Sequence, residues 1–127
     1  MYRVSVSTDF VAQHFLTVPD PGPEGEPHSH RYELEVRCRG PELNEYGYLL
    51  DIDELIAAVD AVEERYRDEL LNDREAFDGL NPSVEHFARI VADRLAGSLD
   101  APEVETLTVR LHEDEIAWAS YERALTA

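Results

Sequence analysis

Hydrophobic and charged residues alternate most clearly in residues 30–39. The hydrophobic residues take every second position, and charged side chains occupy most of the positions between them. The hydrophobic set is Tyr32, Leu34, Val36 and Cys38. Successive side chains of a strand point to opposite faces of its sheet, so this segment predicts a strand with one buried face.

A second alternating segment, residues 2–8, precedes it. Between the two, the stretch from Pro19 to Pro27 contains four prolines and two glycines, a composition that excludes both helix and strand. The pattern therefore predicts a long hairpin of residues 2–16 and 28–39 with a proline-rich tip. This loop is expected to bring Glu24 close to His14, His28 and His30 at the end of the hairpin.

The middle of the chain has helical spacing. An apolar stripe begins after Ile52 and predicts a helix running to about Leu70. Its members are Leu55, Ile56, Val59 and Val62. Asn72 to Gly79 is expected to be a loop, and Asn81-Pro82-Ser83 is typical of a helix start. The second helix has its own stripe, formed by Phe87, Ile90, Val91 and Leu95.

Two further strands are predicted over residues 104–112 and 115–123, joined across Glu113-Asp114. The order ββααββ predicts an α+β fold: a four-stranded antiparallel sheet with two helices on one face. The 127 residues fit a single domain, residues 1–127. Such a sheet leaves two edges open, and oligomerisation is one way to cover them.

The net charge of −17 comes from 28 acidic residues against 11 basic residues, all of them arginine. Because a surface this acidic repels phosphates and anionic lipid, nucleic acid and membranes are not expected as partners. We interpret the charge as adaptation to a high-salt cytoplasm; binding of a basic partner is the alternative. Neither a signal peptide nor a membrane-spanning stretch is visible, and one cysteine excludes an internal disulfide. A cytoplasmic protein is expected.

Three of the five histidines lie at the loop end of the predicted hairpin. His28 and His30 are two residues apart and so point to the same face of a strand, and His14 lies on the neighbouring strand. Three protein ligands with one open position are typical of catalytic zinc. The pattern therefore predicts a Zn2+ site, the alternative being three polar surface residues.

Six short motifs follow one another along nearly the whole chain. They are Phe10-x-Ala12-x-His14-x-Leu16, His28-Ser29-His30-x-Tyr32, Gly47-Tyr48-Leu49-Leu50-Asp51-Ile52, Leu71-Asn72-Asp73, Asn81-Pro82-Ser83-x-Glu85, and Glu113 with Trp118, Ala119 and Tyr121. Together they resemble the 6-pyruvoyl-tetrahydropterin synthase family, which includes the 6-carboxytetrahydropterin synthase of queuosine and archaeosine biosynthesis.

The resemblance implies the tunnelling fold (T-fold), which agrees with the predicted order of elements. It also implies a homo-oligomer, a trimer or hexamer with active sites between subunits, and zinc bound by the three histidines. Glu113 is implied to anchor the pterin ring by accepting hydrogen bonds from its 2-amino and N3 groups. Ser83 and Glu85 are implied substrate-binding positions, although an acid such as Glu85 also complements a helix N-terminus.

Two departures from the family pattern concern catalysis. Glu24 stands at the position of the family's catalytic cysteine, and Arg67-Asp68 stands at its Asp-His pair. Cys38 is a poor substitute, because the strand phase places it on the apolar face.

The implied function is that of a zinc-dependent lyase acting on the side chain of 7,8-dihydroneopterin triphosphate. Glu24 is the candidate general base and Asp68 a candidate proton relay. One alternative is cleavage to 6-hydroxymethyl-7,8-dihydropterin for folate synthesis, since a branch of the family carries glutamate in place of the cysteine. Another is a zinc- or pterin-binding homologue without catalysis.

Overall fold

The computed structural model describes residues 1–125 and contains four strands and two α-helices. In chain order they are β1 (Tyr2–His14), β2 (His28–Gly40), α1 (Ile52–Tyr66), α2 (Val84–Ser98), β3 (Thr106–His112) and β4 (Trp118–Ala124). The strands form one antiparallel sheet in the spatial order β1-β2-β3-β4. The predicted α+β class, the order ββααββ and the four-stranded sheet are confirmed.

The core lies between one face of the sheet and the two helices. The four alternating hydrophobic residues of β2 are buried, as their spacing predicted. The helices contribute their apolar stripes, of which Leu55, Val59 and Val62 from α1 and Phe87 and Leu95 from α2 are buried. Removing these side chains from water is the main source of stability for the sheet–helix packing.

Each helix begins at a side-chain cap. The carboxylate of Asp51 accepts a hydrogen bond from the Asp53 N–H at 2.9 Å and so starts α1. The hydroxyl of Ser83 accepts from the His86 N–H at 3.1 Å and starts α2. These caps satisfy backbone donors that have no partner within the first helical turn.

The predicted end of α1 at Leu70 is wrong. The helix ends at Tyr66, and Asp68 adopts a left-handed conformation with φ of 61°. The chain then runs beside β1: the Asp68 N–H donates to the Val11 carbonyl at 2.7 Å, and the Gln13 N–H donates to the Glu69 carbonyl at 2.9 Å. These bonds satisfy the Val11 carbonyl and the Gln13 N–H at the outer edge of β1, which a longer helix would leave unpaired.

The other predicted boundaries shift by a few residues. β1 ends at His14 rather than residue 16, and β3 begins at Thr106 rather than residue 104. β4 covers Trp118–Ala124 rather than 115–123, because the Asp114 carboxylate accepts from the backbone N–H groups of Ile116 and Ala117 and holds a longer turn. The segment predicted as a loop contains the short 3-10 helices Leu71–Asp73 and Glu75–Phe77.

None of the helices in residues 1–125 combines the length and the apolar character that crossing a bilayer requires.

Candidate metal centre

The structure brings the three predicted histidines together at one end of the sheet. His14, the last residue of β1, pairs directly with His28, the first residue of β2. His30 lies two residues further along β2, on the same face. One ring nitrogen from each histidine lies within 4.8 Å of the others, and the ring centroids are 4.6 to 4.9 Å apart. Strand pairing and strand alternation are together sufficient to produce this convergence.

Backbone carbonyls orient two of the rings. The Nδ1 atom of His14 lies 2.8 Å from the Pro82 carbonyl oxygen, and that of His28 lies 2.8 Å from the Glu26 carbonyl oxygen. A carbonyl only accepts hydrogen bonds, so each Nδ1 carries the proton and each Nε2 keeps a lone pair. Carbonyl partners of this kind fix the tautomer of metal-binding histidines in other proteins.

The three Nε2 atoms have the properties of metal ligands. All three are buried and have no hydrogen-bond partner among the described residues. Buried polar atoms without a partner are costly, so a cation at their meeting point would relieve that cost. Neutral imidazole nitrogens suit Zn2+, and three of them leave a fourth position open. The residues present therefore fit the predicted metal.

His14 is the most enclosed of the three, with 1% of its surface exposed. Burial lowers the pKa of His14 below its usual 6.5, and proximity to His30 and His28 lowers it further. The bond to Pro82 and the charge of Glu113 act in the opposite direction without outweighing burial. The ring is therefore neutral at pH 7, as metal binding requires.

Glu113, predicted to anchor a pterin, lies beside the histidines. Its Oε1 atom is 3.0 Å from His30 Nε2 and 3.7 Å from His14 Nε2, although no hydrogen bond joins them. The residue sits in the turn after β3, where its N–H donates to the Ala117 carbonyl at 3.2 Å. His30 and Glu113 also line a cleft of about 460 Å³, which places a carboxylate and a metal-ligand candidate in one cleft.

The two candidate catalytic carboxylates, Glu24 and Asp68, are exposed and do not join the histidine cluster. Glu24 lies in the 3-10 helix Gly22–Gly25, where its backbone carbonyl accepts from the Leu16 N–H at 2.8 Å. Asp68 lies on the segment beside β1 and is held there through its backbone N–H. The 3-10 helix that contains Glu24 therefore lies beside the chain just after His14. The Glu24 carboxylate itself lies outside the histidine cluster.

The N-terminus of α2 is close to the metal centre. Ser83 follows Pro82, the carbonyl partner of His14, and its hydroxyl is engaged as the cap of α2. Glu85 is exposed in the first turn of the helix. The sequence did not reveal the roles of the Pro82 and Glu26 carbonyls, because every residue has a backbone carbonyl and only the fold decides which one meets a histidine.

Cys38 is fully buried on the core face, as the strand phase predicted. Burial raises the pKa of its thiol to about 11. A thiol of this kind stays protonated at neutral pH and is a poor nucleophile or base.

Comparison with known proteins identifies the family. The family described as 6-pyruvoyl tetrahydropterin synthase matches residues 3–124, nearly the whole chain. The chain belongs to this family. The family consists of pterin-processing lyases, so the resemblance read from the motifs is confirmed at the level of the family. No curated protein sequence matches the chain significantly.

Solved structures of several proteins share the fold of this chain. The 6-pyruvoyl tetrahydropterin synthase of Caenorhabditis elegans is 20% identical, with a TM-score of 0.82 over 97% of this chain and 96% of that chain. A Plasmodium vivax enzyme in which a catalytic glutamate is replaced by alanine is 17% identical, with a TM-score of 0.81 over 97% and 98%. A dihydroneopterin aldolase from Burkholderia thailendensis bound to guanine is 12% identical, with a TM-score of 0.54 over 97% and 90%. These likenesses confirm the predicted fold.

Proposed function

We propose that the protein is a zinc-dependent lyase that acts on the side chain of 7,8-dihydroneopterin triphosphate. Family membership supports a pterin-processing lyase. The observation that carries the metal requirement is the convergence of three buried imidazole Nε2 atoms without hydrogen-bond partners. When bound, zinc supplies a Lewis acid that acidifies protons of the substrate's side chain.

His14, His28 and His30 hold the metal in this proposal. The carbonyls of Pro82 and Glu26 keep two of the rings in the tautomer that presents Nε2. With the three Nε2 lone pairs on the metal, no imidazole N–H faces Glu113. Its oxygens are then free to accept hydrogen bonds from the 2-amino and N3 groups of a pterin, a donor pair that a carboxylate matches in bidentate fashion.

Glu24 is the proposed general base, and Asp68 is the proposed proton relay. The catalytic residue replaced in the Plasmodium vivax structure is a glutamate, so a carboxylate serves catalysis in one structural relative. Cys38 is buried and its thiol is protonated, which leaves it unsuited to the same task. The bond between the Glu24 carbonyl and the Leu16 N–H holds the Glu24 turn beside the chain that leaves His14.

Assembly is part of the proposal. We expect one domain over residues 1–127, in a trimer or hexamer with active sites between subunits, working in a high-salt cytoplasm. β1 and β4 lie at the two edges of the sheet, so β4 and the part of β1 that precedes Val11 can pair with another subunit. A neighbouring subunit would bring further groups to the site, and Ser83 and Glu85 are proposed substrate contacts.

Three products are chemically consistent with this site: 6-pyruvoyl-tetrahydropterin, 6-carboxytetrahydropterin for queuosine or archaeosine synthesis, and 6-hydroxymethyl-7,8-dihydropterin for folate synthesis. A carboxylate base at Glu24 favours the last, because the branch of the family that carries glutamate in place of the cysteine cleaves the side chain to this product. A second candidate function, zinc or pterin binding without catalysis, is favoured by one observation. Neither Glu24 nor Asp68 lies within the histidine cluster.

Product analysis with the zinc-loaded protein at high salt tests the proposal. We expect consumption of 7,8-dihydroneopterin triphosphate, and we expect Glu24→Gln to lower the rate by about 100-fold or more, which is the usual value of a general base. Asp20→Asn is the matched control, since it removes an exposed acid from the same loop and is expected to keep nearly full activity.

Intact substrate after incubation with the wild-type protein would contradict the lyase proposal. Equal rates for the wild type and Glu24→Gln would contradict the role of Glu24 alone. Tight pterin binding without turnover, abolished by Glu113→Ala, would instead establish the binding protein.

A further inference from the structure

The chain that leaves the sheet after His14 is held by side-chain amides from the connection between α1 and α2. Asn72 makes two hydrogen bonds with Phe15: its Oδ1 accepts from the Phe15 N–H at 3.0 Å, and its Nδ2 donates to the Phe15 carbonyl at 3.0 Å. A neighbouring strand bonds a residue in the same way, through both its N–H and its carbonyl. The Asn72 amide therefore acts as a strand partner immediately after the metal-ligand candidate.

Asn81 holds the same segment two residues later. Its Oδ1 accepts from the Thr17 N–H at 2.9 Å. The residue after Asn81 is Pro82, whose carbonyl meets His14 Nδ1 at 2.8 Å. Asn81 is fixed in turn, because its own carbonyl lies 2.8 Å from the Nδ1 atom of His86 in the first turn of α2. Asn81 and Pro82 thus bond both to His14 and to the chain that follows it.

These contacts continue a regular pattern along the edge of β1. Val11, Gln13, Phe15 and Thr17 are every second residue, and each bonds to the connection between the helices. The backbone of Asp68 and Glu69 serves the first two, and the amides of Asn72 and Asn81 serve the last two. His14 lies between the second and third of these four attachments, so its backbone is fixed on both sides.

We infer that Asn72 and Asn81 are positioning residues for the metal centre: they hold the backbone on the C-terminal side of His14, so that its Nδ1–H meets the Pro82 carbonyl and its Nε2 faces the site. The inference rests on the proposed zinc site and extends it to two residues that are not among the proposed ligands. Without either side-chain amide, the position of the His14 ring proton and the orientation of the His14 ring are less well defined. Partners of metal ligands typically contribute about 10- to 100-fold to metal affinity.

The test is the zinc affinity of the full-length variants Asn72→Ala and Asn81→Ala, measured by competition with a chromophoric chelator, together with the visible spectrum after Co2+ substitution. Asn44→Ala is the matched control. Asn44 is also half-buried, and its Oδ1 also accepts from the backbone, namely from the N–H groups of Tyr46 and Tyr48, but it follows the opposite end of β2. All three variants are expected to lower the urea midpoint of the metal-free protein to a similar degree.

Only Asn72→Ala and Asn81→Ala are expected to weaken zinc binding, by at least 10-fold, and to alter the Co2+ spectrum. If Asn72→Ala fails to fold, Asn72→Asp replaces it, since aspartate keeps the acceptor for Phe15 and loses only the donor. Wild-type zinc affinity in these variants would overturn the inference, as would an equal loss of affinity in Asn44→Ala. The lyase proposal fails by a separate result, in which the zinc-loaded wild-type protein leaves the substrate intact.

Discussion

His14 combines three properties that the sequence shows only in part. Its place on a strand facing His28 and His30 follows from spacing and could be predicted. Its depth of burial and its bond to Pro82 could not, because they depend on a residue 68 positions away in the chain. Burial keeps His14 neutral, and the carbonyl bond places the single ring proton on Nδ1, which leaves Nε2 unprotonated.

The lowered pKa of His14 predicts a pH dependence for the metal-free protein. Below pH 6.5 the unfolded chain binds a proton at His14 that the folded protein does not, so stability falls as the pH drops through this range, by at most about 1.4 kcal/mol per pH unit from this group. Urea unfolding between pH 8 and pH 5 measures it. His14→Gln should remove this part of the slope; an unchanged slope in that variant would contradict the assignment.

Cys38 provides a second test at the same scale. Burial raises the pKa of the thiol to about 11, so the folded protein should react with iodoacetamide at pH 7.5 at least 100 times more slowly than the urea-unfolded protein. Mass spectrometry of timed samples gives both rates. Rapid alkylation of the folded protein would show an accessible thiolate and would reopen a catalytic role for Cys38.

At the scale of elements, the sequence predicted what depends on local periodicity and missed what depends on neighbours. The alternation of β2 and the stripes of α1 and α2 were sufficient to identify each element. The end of α1 was misplaced because Leu70 continues the helical spacing, whereas Asp68 and Glu69 form hydrogen bonds with the outer edge of β1 instead. The position of the Glu24 carboxylate outside the histidine cluster could not be predicted either, because a proline-rich loop has no periodic pattern.

The caps of the two helices allow a matched comparison. Ser83→Ala and Asp51→Ala each remove one side-chain acceptor from a helix N-terminus, and each should lower the free energy of unfolding by about 1 kcal/mol. If Ser83 also contacts the pterin, only Ser83→Ala should raise the KM of the lyase reaction. Equal KM values for both variants would assign Ser83 to capping alone.

Gly40 ends β2 where another part of the chain crosses closely. A Cβ atom there would overlap the carbonyl oxygen of Glu103 and lie 2.8 Å from Leu49 Cδ1, so Gly40→Ala should destabilise the protein by about 1–3 kcal/mol. Gly97→Ala is the control: its Cβ would meet nothing within 4 Å and would lie in α2, where alanine stabilises by about 0.5–1 kcal/mol. Urea unfolding of both variants should give shifts of opposite sign, and shifts of the same sign would contradict the packing described here.

At the scale of the whole molecule, charge sets the conditions under which the fold is stable. A net charge of −17 on 127 residues produces repulsion that salt screens, as the Debye length falls from about 10 Å at 0.1 M to about 3 Å at 1 M. The melting temperature should therefore rise steeply between 0.1 and 1 M KCl. A melting temperature independent of KCl would contradict the interpretation of the charge as an adaptation to high salt.

The most direct test of the central claim is the zinc content of the purified protein before and after loss of one histidine. The proposed site predicts one zinc per chain for the wild type, and His30→Ala should lose it while keeping its fold, because His30 is only partly buried and β2 does not depend on its side chain. Wild-type protein that binds no zinc, or a His30→Ala variant that binds it as tightly as the wild type, would contradict the account.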